Sequence, residues 1–301
     1  MIDSPLDRWA LGRTLSQLSN ASVHELARRL PRQPVANVAR RIGITGAPGA
    51  GKSTLVGHLA LQRLAKGRIG VLAIDPSSPK SGGAILGDRV RMDELDGASE
   101  LYIRSLGSRN TFDGLADNLP EMLDAMDDFD FAEVMLETVG VGQVEYSARA
   151  QVDTLVLVLL PDSGDTVQAM KAGIMEMADI FVVNKADLAG AQKMAADIQR
   201  IAALNHHNRD SWVPPVLLTA ASQPPSILAL SEAIDRHQTW LATSTRKAGL
   251  HEQRARYRLR RLLEMRIADI VARQASMFFE APLAHQMAQT LGLLAKQNTP
   301  P

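Results

Sequence analysis

Cysteine is absent from the 301 residues, which removes disulfides, thiolate catalysis, iron–sulfur clusters and Cys-ligated zinc together. Net charge is absent too, with 33 Lys and Arg against 33 Asp and Glu. No global field therefore draws the chain to nucleic acid or an anionic membrane, and any basic surface must be local. Long apolar runs are missing: Leu155–Leu160 is the longest strongly apolar stretch, far short of the ~20 residues that span a bilayer as a helix. The start, MIDSPLDRWA, lacks the basic-then-apolar layout of a signal peptide and is too acidic for a typical transit peptide. These absences make the cytoplasm the expected compartment, with no nucleic-acid and no membrane partner. The seven histidines are scattered, so a histidine-rich metal store is excluded, and no internal repeat is visible.

What is present is an apolar fraction of 46%, ample for a core and too high for a disordered or collagenous chain. Short β-branched and Leu-rich runs alternate with longer helical patterns, the signature of a parallel sheet covered by helices. Strands are expected at Arg41–Thr45, Gly70–Asp75, Leu101–Arg104, Ala132–Glu137, Thr154–Leu160, Ile180–Asn184 and Val216–Thr219. Runs such as LVLVLL and DIFVV are apolar on successive residues, as strands buried on both faces are. The fold class is thus α/β, a doubly wound, mainly parallel sheet, with chemistry expected beyond the carboxyl ends of its strands. Two short helices lead in, one capped by Ser4 with Pro5 following and one opened by the capping-box pair Ser22 and Glu25. After the sheet, residues 244–279 carry Leu259, Leu262, Leu263, Ile267, Ile270 and Val271 at helical spacing, with a basic face between Arg246 and Arg266.

Gly46-Ala47-Pro48-Gly49-Ala50-Gly51-Lys52-Ser53-Thr54 has the P-loop form between the strand RIGIT and a helical pattern. Its glycines let backbone N–H groups turn onto phosphate, and the helix N-terminus adds favourable partial charge. Lys52 is placed to reach the β- and γ-phosphates, with the Ser53 hydroxyl on Mg²⁺. Asn184-Lys185-Ala186-Asp187 follows a strand and has the NKxD form that reads guanine. The Asp187 carboxylate accepts from the ring N–H and exocyclic amine of guanine, a donor pair adenine lacks, so GTP is preferred over ATP. Ala220-Ala221-Ser222, after PVLL and Thr219, stands where a backbone N–H can meet the guanine oxygen.

Carboxylates complete the set. Asp75 and Glu137 each end a strand and, with Asp88, are candidate holders of a phosphate-bound Mg²⁺ or of the attacking water. Glu137 and Gly140 form an ExxG in which Gly140 can offer its N–H to the γ-phosphate. Val141 stands where some GTPases carry a water-orienting Gln, so slow turnover is expected. Gln143 substitutes only after rearrangement, and Asp165 lies in a further switch loop or simply caps the next helix.

These residues resemble the MeaB/ArgK family of P-loop GTPases, of the SIMIBI class, which includes the methylmalonic aciduria type A protein. The resemblance rests on GITGAPGAGKSTL, VLAIDPSSPKSGGAILGDRVRM, LETVGVGQVE, GIMEMADIFVVNKAD and ALGRTLSQLSN, spread over about residues 8–242. It implies a Mg²⁺-dependent GTPase that gates cofactor loading for a cobalamin-dependent acyl-CoA mutase of the methylmalonyl-CoA type. It also implies a homodimer joined through C-terminal helices. Asp75, Asp88 and Glu137 match the family's Mg²⁺ and switch carboxylates, and Asp165 its third switch loop. The chain departs from the family at 109–116, where Asn110 and Asp113 replace two glycines, and at Ser19, where an acid is lost. The expected organisation is an N-terminal helical extension (1–40), a P-loop GTPase domain (41–243) and a C-terminal helical dimerisation arm with its tail (244–301). The alternatives are a nickel-type metallochaperone GTPase, a P-loop kinase disfavoured by NKAD, and a regulatory GTP-binding module.

Overall fold

Each of the seven apolar runs forms a strand, and all seven pair in parallel. In the computed structural model, which describes residues 5–27, 38–75, 98–107, 115–138, 143–161, 173–204 and 211–296, the strands are β1 Arg40–Gly46, β2 Ile69–Asp75, β3 Leu101–Gly107, β4 Glu133–Glu137, β5 Thr154–Leu159, β6 Ile180–Asn184 and β7 Val216–Thr219. Their order across the sheet is β3-β2-β4-β1-β5-β6-β7. From β1 the chain moves to one side, fills β2, β3 and β4, then crosses to β5 and continues outward. The carboxyl end of β1 is thus the point where successive connections run in opposite directions, the place where such sheets bind ligands.

Helices α1 Arg8–Ser19, α2 Val23–Ala27, α3 Lys52–Arg63, α4 Leu119–Asp128, α5 Gln143–Gln151, α6 Ala191–Leu204, α7 Pro224–Thr243, α8 Arg246–Ala272, α9 Ser276–Glu280 and α10 Leu283–Lys296, with 3-10 turns at Leu64–Lys66 and Ile174–Glu176, make up the rest of the regular structure among the described residues. The two-faced burial of the central strands follows from their period of two. Val156, Val158, Ile180 and Val182 pack with Leu55, Val56 and Leu59 of α3 and Ile227, Leu230 and Ile234 of α7. Leu157, Leu159, Phe181 and Val183 point the other way, onto Ala191, Ala195 and Ile198 of α6. With both faces covered, α3 is held rigidly against β1, and the turn between them cannot drift.

Two helix boundaries differ from the sequence expectation. The leading helix is capped by Asp7, whose carboxylate accepts from Ala10 N at 2.8 Å, and not by Ser4, which lies outside the described residues. Asp and Ser cap comparably, so local chemistry did not choose between them. The capping box at Ser22 and Glu25 is present, with Ser22 N donating to Glu25 Oε2 at 2.7 Å and Glu25 N to Ser22 Oγ at 3.3 Å. The helix after the sheet breaks at Ala272: Gln274 Nε2 donates to Ile270 O at 2.9 Å, satisfying a last-turn carbonyl, before α9 begins.

The chain divides into two compact units, one of residues 1–20 and 34–250, the other of 21–33 and 251–301. The first holds the sheet. The second holds α2, most of α8, α9 and α10, and exposes apolar side chains at four-residue spacing: Leu259, Leu263 and Ile267 on α8, and Leu283, Met287 and Leu291 on α10. Among the described residues no helix is long and apolar enough to cross a membrane.

Candidate functional site

The P-loop closes the step from β1 to α3, and its conformation is one that glycine alone makes cheap. Gly46, Gly49 and Gly51 have φ of 145°, 80° and 82°, a region L-residues with side chains rarely enter. Space is exhausted as well: a Cβ on Gly46 would stand 2.0 Å from Val158 O, because the β1–β5 register sets those two residues side by side. Gly51, left-handed, turns the chain directly into α3, leaving the first N–H groups of that helix facing the loop. Buried Lys52 folds back so that Nζ donates to Gly46 O at 2.8 Å and Ala47 O at 2.9 Å. Its ammonium is held inside the loop, ready for a stronger acceptor.

Glu137 arrives by register. It ends β4 and pairs with Ile44 of β1, which brings its carboxylate to the first turn of α3, where Ser53 Oγ donates to Glu137 Oε1 at 2.7 Å. The following Thr138 fixes this corner: its N donates to Ile44 O at 3.0 Å and its hydroxyl to Thr45 Oγ1 at 2.9 Å, both threonines being fully buried. A serine hydroxyl beside a carboxylate, both at the phosphate end of a P-loop, is the hard-oxygen donor set that suits Mg²⁺.

The NKAD stretch is tied to the P-loop by one side chain. Asn184, 6% exposed, donates from Nδ2 to Ala50 O at 2.8 Å and accepts at Oδ1 from Thr219 Oγ1 at 2.9 Å. The β6–β7 register, which sets Asn184 opposite Thr219, makes this possible. Ala186 N then donates to Thr219 O at 2.9 Å, and Lys185 takes a positive φ of 54° to make the turn. A non-glycine residue held there is strained, and such strain gathers at ligand sites. The turn exposes the Lys185 and Asp187 side chains at a cleft of about 340 Å³ shared with Gly51, Thr54, Asn184, Ala221 and Ser222. That volume is in the range of small-molecule sites. Leu55 and His58 of α3 and Ile227 of α7 also line the cleft.

The expected site residues thus sort into three groups. Gly46 to Thr54, Glu137, Asn184, Lys185, Asp187 and Ala220 to Ser222 lie along one carboxyl edge of the sheet. Asp75 ends β2 on that edge and Gln143 opens α5, although their side chains are not among those described. Asp88, Gly140, Val141, Asp165 and the altered loop 109–116, except Leu115 and Ala116, fall outside the described residues. Sequence reading missed His58. The signal was available, since Gly51, Thr54, Leu55 and His58 follow the three- and four-residue spacing of one helix face.

Away from the cleft, one buried carboxylate is surrounded by cations. At the opposite edge, Asp179 accepts from Leu155 N and from Arg149 at 2.8 Å each and meets Arg246 at 2.9 Å, with His237 Nε2 at a long 3.4 Å. Burial pushes this carboxyl upward. His237 and the charges of Arg149 and Arg246 outweigh it and hold the group below the ordinary carboxylate range.

Comparison with known proteins agrees with this geometry. Residues 12–278 match the family described as methylmalonyl Co-A mutase-associated GTPase MeaB. A Pyrococcus abyssi relative named as a GTPase is 40% identical over 271 residues, spanning 88% of this chain and 82% of its own. The GTPase ArgK of Escherichia coli is 33% identical over 263 residues, 86% of this chain and 77% of its own. The methylmalonic aciduria type A homolog of Mus musculus is 31% identical over 247 residues, 81% and 60% respectively. In fold, the chain is similar to the crystal structure of an LAO/AO transport system kinase, with a TM-score of 0.63, 22% identity and coverage of 97% of this chain and 100% of that one. The chain belongs to the MeaB family of P-loop GTPases.

Proposed function

We propose that this MeaB-family GTPase hydrolyses GTP slowly with Mg²⁺ and uses its nucleotide state to chaperone a cobalamin-dependent acyl-CoA mutase of the methylmalonyl-CoA type. The observation that carries the nucleotide part is the Asn184 tie, which places a P-loop and an NKAD turn around one cleft. The mutase part rests on the family description and on the disease name of the mouse relative.

In this reading the backbone N–H groups from Gly49 to Ser53 hold the β-phosphate, and Lys52 leaves its two carbonyls to bridge the β- and γ-phosphates. Ser53 Oγ and Glu137 are the described residues that would hold Mg²⁺, joined by Asp75 and Asp88. When bound, the ion neutralises charge on the β- and γ-phosphate oxygens. Glu137 or Asp75 orients the water for in-line attack, and Val141 in place of a water-orienting side chain keeps turnover slow. Gly140, Gln143 and Asp165 belong to the segments that carry the nucleotide state to the partner. Lys185 covers the base, Asp187 accepts from N1–H and the 2-amino group, and the N–H groups at Ala220 to Ser222 face O6. The chain acts as a cytoplasmic homodimer, a reading supported by the apolar rows on α8 and α10.

The test is GTP hydrolysis by the purified protein, alone and with a cobalamin-dependent acyl-CoA mutase from the same organism, beside an Asp187→Ala control. Acceleration by the mutase that Asp187→Ala abolishes supports both parts. Basal turnover that no mutase alters leaves the GTPase and removes the chaperone reading.

A further inference from the structure

We infer that His58 is a base-recognition residue, donating a hydrogen bond to O6 of the bound guanine; this rests on the cleft being the guanine site proposed above. Three observations lead there. First, His58 lines the cleft on the same face of α3 as Thr54 and Leu55. Second, it is half-buried and makes no hydrogen bond or ion pair among the described residues. Third, its position along α3 matches the base and not the phosphates. A helix rises ~1.5 Å per residue, so His58 stands about 6 Å beyond Thr54 and about 9 Å beyond Lys52, moving away from the P-loop.

The polar atoms of guanine are otherwise assigned. Asn184 Nδ2 donates to Ala50 O at 2.8 Å and meets Gly51 O only at a long 3.5 Å, a weak contact whose hydrogen can turn to N7. Asp187 takes N1–H and the 2-amino group. O6 is the ring substituent farthest from the sugar and therefore from the phosphates, and it has two lone pairs. One is met by backbone N–H from Ala221 or Ser222, which line the same cleft. His58, at the remote end of the α3 wall, meets the other. A neutral imidazole carries one N–H, enough for this role.

The test is a cycle between side chain and ligand group on the full chain. Dissociation constants for GDP, IDP and 6-thio-GDP are measured by titration calorimetry for wild type, His58→Ala, His58→Gln and Asp187→Ala, with melting curves taken without nucleotide. IDP keeps O6 but lacks the 2-amino group. The thio analogue keeps the amino group but replaces O6 with a poor acceptor. His58→Ala is expected to weaken GDP and IDP alike, about five- to tenfold, the size of one neutral hydrogen bond. The same substitution should change 6-thio-GDP less than twofold, and His58→Gln, which retains a donor, should recover most of the loss.

The inference is overturned if His58→Ala leaves GDP within twofold of wild type, or if the thio analogue suffers the same penalty as GDP, which would mean mere packing. If His58→Ala melts far below wild type, His58→Phe replaces it as a ring without a donor and is judged by the same ratios. The Asp187→Ala arm separates the two levels. Loss of its discrimination between GDP and IDP upholds the guanine site whatever His58 does. Unchanged constants for all three ligands remove the site and this inference with it.

Discussion

Asn184→Ala tests whether the guanine-reading turn and the phosphate loop are mechanically one piece. The side chain joins them through a bond of 2.8 Å to Ala50 O and is anchored by a second of 2.9 Å from Thr219 Oγ1 at the end of β7, and its partners Ala50 and Thr219 are fully buried. Truncation orphans both. A buried polar group left without a partner costs about 1–3 kcal/mol; the Thr219 hydroxyl can rotate, so the sum is expected near the lower part of the range, about 2–4 kcal/mol. The quantity to measure is the unfolding free energy of the nucleotide-free protein in urea, which isolates this effect from lost ligand contacts. GDP affinity should fall tenfold or more in parallel. A second variant sharpens the argument. Asn184→Asp is the same size and still accepts from Thr219, but it presents an oxygen to Ala50 O where the amide presented a hydrogen. It is therefore expected to be no more stable than Asn184→Ala at neutral pH. The reasoning fails if Asn184→Ala lies within about 0.5 kcal/mol of wild type, or if Asn184→Asp keeps wild-type stability.

Two further expectations concern regions away from the nucleotide. Asp179 titrates lower in the fold than in an unfolded chain, so its contribution is present above about pH 4 and is lost as pH falls through the folded value. Urea midpoints taken from pH 6 down to pH 3 should fall more steeply for wild type than for Asp179→Asn; parallel curves would contradict this. On α10, Leu283, Met287 and Leu291 are 70%, 57% and 58% exposed, and Leu283→Glu with Met287→Glu should convert the proposed dimer to monomer by light scattering while leaving basal GTP turnover unchanged. A wild-type protein that is monomeric across the micromolar range refutes the dimer outright.

Local information carried the sheet, and proximity in sequence carried the motifs. Each strand is a contiguous apolar run, so LVLVLL and DIFVV announced themselves as two-faced strands before any packing was known. The P-loop and NKAD were equally readable, because their chemistry lies in neighbouring residues. What could not be read is which distant groups meet. Buried Arg63 pairs with buried Glu133 and with half-exposed Asp235, and Asp179 gathers Arg149, His237 and Arg246. These partners come from different helices and strands, so no periodicity within one element links them.

The site itself shows where that boundary falls. Asn184 was legible as one letter of a guanine motif, whereas its bond to Ala50 depends on β5 lying between β1 and β6 at a fixed spacing. Its bond to Thr219 depends on the β6–β7 register, and a slip of one residue would reverse the face of every side chain on that strand. His58 falls between the two cases: its helical spacing from Thr54 is local, but the wall it faces, built from the ends of β6 and β7 and the start of α7, is not. The motif therefore names the ligand, while register and helix placement decide which other side chains can touch it. A base contact on the α3 wall needs both kinds of information: the spacing puts His58 on the face of Thr54, and only the fold brings that face to the guanine-reading turn.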